Sequence, residues 1–442
     1  MQALREPFEP SRDERAWKKI VKSMFRTPRA AGACIFLLAF FIRIPFTLHT
    51  PLDLAIAEPK NIGISLLEHK TFANPFRCPT GPTAHENPFL PVVIAGIYSV
   101  FGKGDAGELA RCILTEIVLC LSYALLPWIA VRMNLPLASG VAAGLICALF
   151  PFKRTSETVS FTDEPFVAVA LLLLAIYCYW LLRKKTFSWS DALWYGLAWG
   201  GAFYLTASLL PVFIATLILI WAAASGAARF QTRKLAISLA GAILVAVPWS
   251  VRNYVEMHSV GFMRSDFGLE LSASNNDGVS PSVKQNQRNE HEGTKYPLTS
   301  ATECYNLQQL GEGEYNHRKL QTALAWIRTH PLTFTGLVAT RVFYFWGGDP
   351  LDYTTAIPNG LLSIAGLAGC ILLLRARLYA GAIMACAFLF FPVVYYLVQT
   401  TPRYTLPIHP LVALCAGYAL YSCWATRAHN TPPEPVPEKV PA

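Results

Sequence analysis

The stretch FVAVALLLLAIYCYWLL, residues 166–182, decides the fold class of this chain. It contains no charged residue and lies within a longer stretch, 163–182, that has the length of a membrane-crossing helix. About 20 predominantly apolar residues are needed for an α-helix to cross the hydrocarbon core of a bilayer. The stretch therefore predicts a helix that spans a membrane.

The composition of the whole chain agrees with this prediction. Of its 442 residues, 53% are hydrophobic and 15% are charged, whereas soluble domains are roughly 45–50% apolar and about 25% charged. The apolar residues are also gathered into long runs. A soluble globular enzyme, a disordered chain and a disulfide-stapled secreted domain are thereby excluded, and we predict an all-α, polytopic membrane protein.

Ten apolar stretches have the length expected of spans: about 31–48, 109–131, 135–151, 163–182, 191–207, 208–224, 235–252, 359–374, 379–397 and 405–424. Two others, 88–101 and 334–346, are shorter and favour interfacial or re-entrant helices. Leaving both out places the basic residues at 132, 183–185, 229–234 and 375–377 on the cytoplasmic side, as the positive-inside rule requires. We therefore expect about ten transmembrane helices.

This topology divides the chain into five regions. We expect a cytoplasmic basic arm (1–30), a transmembrane module (31–252) with a first outer loop (49–108), a second large outer loop with amphipathic and interfacial helices (253–358), C-terminal transmembrane helices (359–424) and a disordered tail (425–442). We expect the protein to lie in the plasma membrane, which is the inner membrane of a bacterium, with its N-terminus in the cytoplasm. Eight of the nine histidines and most loop acids then face outward, so we expect the chemistry there.

The net charge of +9, from 37 Lys and Arg against 28 Asp and Glu, has a membrane explanation. The basic residues lie beside apolar runs, where they set topology and meet anionic lipid. Aromatic residues do not alternate with them along a basic groove, and zinc-ribbon spacing is absent. We therefore expect membrane lipid and no nucleic acid among the partners.

The first group of candidate site residues follows the first predicted span. Arg43 interrupts an otherwise apolar helix, which is costly unless it reaches the outer interface or a polar partner. Asp53 and Glu58 follow at the mouth of that helix, and residues 55–68 are expected to form a helix on the membrane surface. A shielded carboxylate there could have a raised pKa and act as a base. Equally, these acids could cap the helix or pair with Arg43.

Two further loops bring polar residues to the same face. The proline-rich loop 80–91 places His85 and Glu86 at the start of a short apolar helix. Two adjacent ligands are too few to define a metal site, so a loop that only exposes polar groups is the simpler interpretation, although a divalent metal could bind there. The loop before span four carries Asp163 and Glu164, which could form a solvated rim or share a site with Asp53 and Glu58.

Arginines at span ends supply candidate phosphate ligands. Arg252 and Asn253 end span seven, and the stretch Arg264-Ser265-Asp266 follows in the second outer loop. Arg403, beside Tyr404, stands alone between the last two spans. An arginine at a membrane rim could hold a lipid phosphate by charge-assisted hydrogen bonds, or it could extend to lipid headgroups.

Cysteines indicate at most one bridge. Most of the 11 cysteines lie inside apolar runs, where they behave as small hydrophobic residues. Cys78 and Cys304 fall in the long polar loops, so a single disulfide between them is an open alternative to two free thiols.

The chain contains, in sequence order, Arg43 with the acids after it, residues 72–102, PWSVRNY (248–254), GLELSASNN (268–276), 311–346 and PRYTLPIHP (402–410). In this order and topology, these segments resemble the GT-C superfamily of integral-membrane glycosyltransferases. Within it the chain is similar to the family-39-like branch related to protein O-mannosyltransferases and the lipid A aminoarabinose transferase. The resemblance covers about residues 30–425, and seven spans before the second outer loop match the common GT-C layout.

The resemblance implies a polyprenyl-phosphate sugar donor and an inverting hexosyl or pentosyl transfer to a lipid, glycan or protein acceptor. The family's catalytic acid lies in the first outer loop, usually as the Asp of an Asp-Glu pair, which this sequence lacks. By its distance from the following surface helix, Glu58 fits that position, and Asp53 fits if the helix starts earlier. A second acid corresponds to Asp163 or Glu164. The donor-phosphate arginine corresponds to Arg403, with Arg252 as a second candidate.

We therefore predict a membrane glycosyltransferase without a required cofactor. The expected catalytic residues are Glu58, Asp53, Asp163 and Glu164, and the expected substrate-binding residues are Arg43, His85, Glu86, Arg252, Asn253, Arg403 and Tyr404. The alternatives are a transporter or flippase for lipid-linked sugars, which would need charges at several depths of a bore, and a non-catalytic envelope assembly protein.

Overall fold

The structure is a computed structural model, and it describes residues 26–49, 57–150, 163–184, 186–223, 228–258, 262–289 and 295–430. Asp53, most of the predicted N-terminal arm and residues 431–442 of the predicted tail lie outside the described residues. The proposed division into five regions stays a prediction.

Helices account for nearly all of the regular structure. The first ten are α1 (Pro28–His49), α2 (Glu58–His69), α3 (Phe89–Phe101), α4 (Asp105–Ala124), α5 (Leu126–Arg132), α6 (Leu137–Leu149), α7 (Glu164–Arg183), α8 (Trp189–Phe203), α9 (Leu210–Ala223) and α10 (Ala228–Met257). Over the described ranges the chain forms no strand, and its only β-pairing is two isolated bridges, Ala73 with Pro82 and Ser282 with Thr400. The all-α prediction is confirmed.

The second half of the chain continues the same pattern. Its helices are α11 (Phe267–Ser274), α12 (Val283–Arg288), α13 (Ala301–Leu310), α14 (Glu312–Thr329), α15 (Pro331–Gly347), α16 (Tyr353–Arg375), α17 (Tyr379–Phe390), α18 (Val393–Leu397) and α19 (His409–Asn430). Short 3-10 turns lie at Ala207–Leu209, Pro350–Asp352 and Pro402–Thr405.

Six helical segments of the described chain are long and apolar enough to cross a membrane: Pro28–His49, Asp105–Arg132, Glu164–Arg183, Thr232–Met257, Thr355–Arg375 and Tyr379–Leu397. They coincide with six of the ten predicted spans, and the polytopic membrane protein is confirmed. The other four predicted spans are also helical, as α6, α8, α9 and α19. Ten as the number of crossings stays a prediction.

Small residues let the long helices approach closely. A Cβ on Gly196 of α8 would lie 2.1 Å from the carbonyl oxygen of Ser238 on α10. A Cβ on Gly417 of α19 would lie 2.2 Å from the carbonyl oxygen of Ser139 on α6. Close backbone contact at small residues is the usual way in which helices associate in lipid, because lipid tails give apolar side chains little reason to associate.

The charge inside α1 is paired with a charge on α4. The Arg43 guanidinium donates to both carboxylate oxygens of Glu116, through Nε to Oε2 and through Nη2 to Oε1 at 3.1 Å. Both side chains are buried. Arg43 therefore has the polar partner that its apolar surroundings require, and it holds α1 against α4.

A second buried group of charges anchors the short helix α2, which begins at Glu58. Lys60 of α2 lies 2.8 Å from the carboxylate of Glu108 on α4, and Arg111 one turn later pairs with the same carboxylate. Tyr98 of α3 donates its hydroxyl to Glu108 at 2.5 Å. One buried carboxylate thus ties α2, α3 and α4 together and sets the position of Glu58.

The two polar regions predicted as outer loops pack on each other. Glu312, at the start of α14, accepts hydrogen bonds from the Ala84 amide (2.8 Å) and from the Ser265 hydroxyl (2.5 Å), and also from the Thr83 hydroxyl. A disulfide joins Cys78 to Cys304 on α13. Of the two alternatives open in the sequence, the structure has the bridged one.

The ion pair between α1 and α4 yields a test of stability. Glu116→Gln leaves the Arg43 cation buried without its counter-ion, and breaking a buried pair in this way costs about 3–5 kcal/mol. We expect a clear drop in the thermal unfolding temperature of the purified protein in detergent. The double variant Arg43→Met/Glu116→Gln removes the stranded charge and should recover most of the loss. A double variant less stable than Glu116→Gln alone would contradict this account.

Candidate active site

Six carboxylic acids and two arginines from five separate parts of the chain lie close enough to act on one another electrostatically. We call this set the charge cluster; it consists of Glu58, Glu86, Asp163, Glu164, Asp266, Glu270, Arg264 and Arg403. Glu58 and Glu164 are the first residues of α2 and α7, and Glu270 lies within α11. The other members lie in the segments that precede α3, α7, α11 and α19. Two arginines cannot balance six ionised carboxylates, so the cluster favours protonation of some acids or the binding of a cationic group.

Arg264 lies at the centre of the charge cluster. Its Nη2 lies 2.6 Å from the Asp266 carboxylate and 3.4 Å from the Glu86 carboxylate, and its Nε donates to the backbone oxygen of His85 at 2.9 Å. Arg264 follows α10, while His85 and Glu86 precede α3. The guanidinium thus joins the two polar regions and holds the acids of both around itself.

Arg403 contributes the second cation from a different direction. It lies in the 3-10 turn before α19, and its Nε is 3.4 Å from the carboxylate of Glu164, the first residue of α7. Its side chain is 38% exposed, whereas that of Glu164 is buried. The ring of Tyr404 stacks on that of Tyr395 with centroids 4.5 Å apart, and this contact packs the 3-10 turn against α18. Arg403 is therefore the more accessible of the two arginines.

Glu58 is the first residue of α2 and is followed by a proline at the second position. Both features are typical of helix starts, because an acid there interacts favourably with the helix dipole and proline needs no amide hydrogen. Burial raises the pKa of Glu58 above its usual value, against the attraction of Arg403 and Arg264. A half-buried carboxylate of raised pKa beside two cations is suited to accept a proton.

Other acids of the charge cluster also hold protons more tightly than usual. Burial, with the charges of Glu58 and Asp266 nearby, raises the pKa of Glu86 to about 8 despite Arg264. Burial and the neighbouring Asp266 raise the pKa of Glu270 to about 7, although the Tyr296 hydroxyl donates to it at 2.5 Å. Near neutral pH the cluster can therefore both take up and release protons.

The predicted site residues divide into those within and those outside the charge cluster. Glu58, Glu86, Asp163, Glu164 and Arg403 come together in it, with Tyr404 beside Arg403, while Asp53 lies outside the described residues. Their roles in catalysis and binding stay predictions.

Three predicted substrate-binding residues serve the scaffold in this structure. Arg43 pairs with Glu116 within the helix bundle. Arg252 donates to the carbonyl oxygens of Thr83 (2.6 Å) and Phe72 (2.7 Å) and also to the Asn253 side chain (3.1 Å). These contacts hold the segment before α3 against the end of α10.

The surroundings of His85 and Glu86 do not form a metal site. The His85 ring is buried against Phe76, with centroids 4.8 Å apart, and burial lowers its pKa. Glu86 is directed at Arg264. Across the described ranges, no group of three or more His, Cys, Asp or Glu side chains is arranged to hold a metal ion. A divalent metal at His85 and Glu86 stays the open alternative that it was in the sequence.

Three members of the charge cluster were not among the expected catalytic and substrate-binding residues: Arg264 and Asp266, whose stretch was noted only as following Arg252 in the second outer loop, and Glu270. The sequence signal was the pair of opposite charges two residues apart in Arg264-Ser265-Asp266, about twelve residues after the seventh predicted span. Glu312 and Tyr296 were missed as well, because their partners lie far away in the sequence.

Comparisons with known proteins give a structural match and no sequence match. No protein-family model and no curated protein matches the chain. Its structure is similar to that of the Archaeoglobus fulgidus oligosaccharyltransferase AglB. With a tethered acceptor peptide containing the NVT sequon, that enzyme gives a TM-score of 0.55 at 14% identity over 90% of this chain and 49% of the other.

Two further structures of the same archaeal enzyme agree. The complex with an inhibitory peptide and a dolichol-phosphate gives a TM-score of 0.53 at 14% identity, covering 90% of this chain and 51% of that one. The complex with Zn and sulfate gives 0.50 at 14% identity, covering 90% and 50%. This chain thus spans about half the length of the proteins it matches. Over that part it shares the fold of the archaeal enzyme, and the resemblance to the GT-C superfamily and its family-39-like branch stays a prediction.

The contacts of Glu312 yield a test of how the site is assembled. Glu312→Ala removes the acceptor shared by Thr83, Ala84 and Ser265, which leaves buried donors unpaired at about 1–3 kcal/mol each. We expect faster hydrogen–deuterium exchange of backbone amides at 83–86 and 264–266, measured by mass spectrometry. The control is Glu314→Ala on the same helix, which removes only an exposed ion pair with Arg318. Equal exchange in the two variants would contradict the assigned role.

Proposed function

We propose that this protein is a membrane glycosyltransferase that moves a sugar from a polyprenyl-phosphate donor to an acceptor at the charge cluster, with inversion at the anomeric carbon. The observation that carries the proposal is that a carboxylate suited to accept a proton and a cation suited to bind an anion lie in the same cluster. Glu58 is a half-buried carboxyl with a raised pKa, and Arg403 is an accessible cation close enough to act on it electrostatically. A base and an anion-binding group are what transfer from a phosphate leaving group needs.

Glu58 is the proposed base. Its place at the start of α2 is held by Lys60, two residues later, through the buried carboxylate of Glu108. A base works best when its pKa approaches the working pH, and burial moves the pKa of Glu58 in that direction. Asp53 remains the alternative base because it precedes the same helix. Asp163 and Glu164 are proposed to orient the acceptor and Arg403.

Arg403 is the proposed ligand of the donor phosphate. Arg264 is engaged by two carboxylates and a backbone carbonyl, so its donors are largely used inside the protein. The Arg403 side chain is the more exposed of the two, at 38% against 28% for Arg264. An incoming phosphate can therefore reach the Arg403 guanidinium with less rearrangement. Tyr404 and Glu86 are proposed to contact the sugar.

The proposed step is a single displacement. Glu58 takes the proton from a hydroxyl or amine of the acceptor, and the freed electron pair forms a bond to the anomeric carbon of the sugar. The bond from that carbon to the phosphate oxygen breaks, and polyprenyl phosphate leaves with the electron pair. Arg403 stabilises the negative charge that grows on the phosphate, and this stabilisation is greatest in the transition state.

The structural neighbours support this class of substrates. The archaeal oligosaccharyltransferase was solved with a dolichol-phosphate in one structure and with an acceptor peptide in another. A lipid-linked donor and a lipid, glycan or protein acceptor are proposed here by extension, with a hexose or pentose as the sugar. We also propose that the charge cluster faces away from the cytoplasm, with the N-terminus inside and the protein in a bacterial inner membrane.

The role of Glu58 can be tested by the pH dependence of transfer. Wild-type protein in native membrane vesicles, given polyprenyl-phosphate sugars labelled in the sugar, is expected to lose transfer activity as the pH falls. The midpoint should lie above pH 4.5, the usual pKa of a glutamate, because burial raises the pKa of Glu58 and only its ionised form accepts a proton. Glu58→Gln should be slower by roughly 10²–10⁴-fold.

Two controls separate the outcomes. Glu68→Gln changes an exposed acid on the same helix, paired with Lys103, and should keep wild-type activity and pH dependence. Asp53→Asn tests the alternative base. Full transfer by Glu58→Gln would contradict the assignment of the base. A wild-type protein that binds the donors yet transfers no label would contradict the glycosyltransferase proposal and favour a transporter of lipid-linked sugars.

A further inference from the structure

Arg341 on α15 is fully buried although it carries a permanent charge. Its exposed fraction is 0%, and its guanidinium forms no ion pair with any carboxylate of the described residues. Burial lowers its pKa, and no nearby charge opposes that shift. A buried cation without a counter-ion is costly, so the contacts that it does make should have a function.

All three acceptors of Arg341 lie at the ends of two helices. Nη1 donates to the Asn275 side chain at 3.1 Å and to the carbonyl oxygen of Leu397 at 3.0 Å, and Nη2 donates to the carbonyl oxygen of Ser274. Ser274 ends α11, and Leu397 ends α18. The last carbonyls of a helix lack partners within the helix and carry partial negative charge, so they can accept from a buried cation.

These two helix ends lead directly to the two sides of the charge cluster. Helix α11 carries Glu270 and begins immediately after Asp266, which pairs with Arg264. Helix α18 ends six residues before Arg403. One guanidinium therefore bridges the backbone that carries the acids and the backbone that carries the accessible arginine.

The chain between Leu397 and Arg403 has little freedom beyond this bridge. The amide of Gln399 donates to the Ser274 hydroxyl at 2.8 Å, and the Asn286 side chain donates to the Gln399 side chain at 2.7 Å. The amide of Thr400 donates to the carbonyl oxygen of Pro281 at 2.9 Å. Because residues 399 and 400 are held by these hydrogen bonds, a displacement of the end of α11 or α18 also displaces Arg403.

The same face of α15 supports this segment by ring contacts. Phe345, one turn after Arg341, stacks on Tyr395 with centroids 6.2 Å apart, and Trp346 donates to the Tyr396 hydroxyl at 2.8 Å. Arg341 and Phe345 are four positions apart and therefore share one face of the helix, and Trp346 follows Phe345 directly. Helix α15, expected from the sequence only as an interfacial helix, therefore packs directly against α18.

We propose that Arg341 is a positioning residue that sets the separation between the acids on α11 and Arg403 by holding the ends of α11 and α18 together. The expected effect of Arg341 on binding of the donor phosphate rests on the proposed function. The mechanical part of the proposal, that Arg341 holds the two helix ends together, does not. Arg341 need not touch substrate.

The mechanical part is tested by hydrogen–deuterium exchange of the full-length protein in detergent. Arg341→Gln keeps a polar group, but its shorter side chain cannot bridge both helix ends, so we expect faster exchange of the amides at 398–404. Arg318→Gln, at an exposed arginine on α14, is the matched control and should exchange like wild type. Unchanged exchange at 398–404 in Arg341→Gln would overturn the proposal.

A second pair of variants keeps the test decisive if Arg341→Gln does not fold. Arg341→Lys retains the charge, but a single ammonium group cannot reproduce the planar fork that reaches both helix ends. Asn286→Ala leaves the buried cation in place and removes the hydrogen bond to Gln399, together with the two hydrogen bonds that the Asn286 side chain makes with the backbone of Ser280. Both should increase exchange at 398–404, with Asn286→Ala having the smaller effect, and unchanged exchange in both would overturn the proposal.

Binding of undecaprenyl phosphate tests whether the effect reaches Arg403. We expect Arg341→Gln to weaken its affinity about tenfold, as the loss of a charge-assisted contact does. In an Arg403→Ala background, Arg341→Gln should cause no further loss, because the phosphate ligand that it positions is gone. Additive losses would overturn the proposal. If wild-type protein did not bind the lipid, the proposed function would be contradicted, and the exchange results would still decide the role of Arg341.

Discussion

The guanidinium of Arg264 is the contact on which the geometry of the charge cluster depends. It reaches Glu86 and the His85 carbonyl on one side and Asp266 on the other, and so connects segments that are about 180 residues apart in the sequence. Acids buried this closely repel one another, and a central cation lowers the cost of bringing them together. Glu312 and the disulfide between Cys78 and Cys304 strengthen the same junction.

Most of the fold could be predicted from the sequence because its signals are local. Long apolar runs with basic flanks predicted helices at all ten expected spans, and the weaker stretch 88–101 became the separate helix α3. Part of the site could be predicted for the same reason. The predicted topology alone places four of the site residues on one face of the helix bundle, because they lie in outer loops or at outer span ends: Glu58, Asp163, Glu164 and Arg403.

The remainder of the site depends on pairings that a single sequence does not contain. Arg252 and Arg403 lie near the ends of predicted spans, and Arg341 lies within the short apolar stretch 334–346. Their local sequences do not tell which of the three binds a phosphate. They differ in what lies opposite them: carbonyls of the segment before α3, two helix ends, or the carboxylate of Glu164. Arg43 is the converse case, since the cost of a charge in an apolar helix correctly indicated a partner but could not identify Glu116.

The central claim is that Arg403 receives the donor phosphate while Glu58 faces the anomeric carbon. A cryo-electron microscopy structure of the full chain in a lipid nanodisc with a polyprenyl-phosphate sugar tests it most directly. We expect phosphate density within hydrogen-bond distance of the Arg403 guanidinium, with the sugar between it and Glu58. Phosphate density at the basic residues on the opposite end of the bundle, near Arg132 or Arg375, with the charge cluster empty, would contradict it.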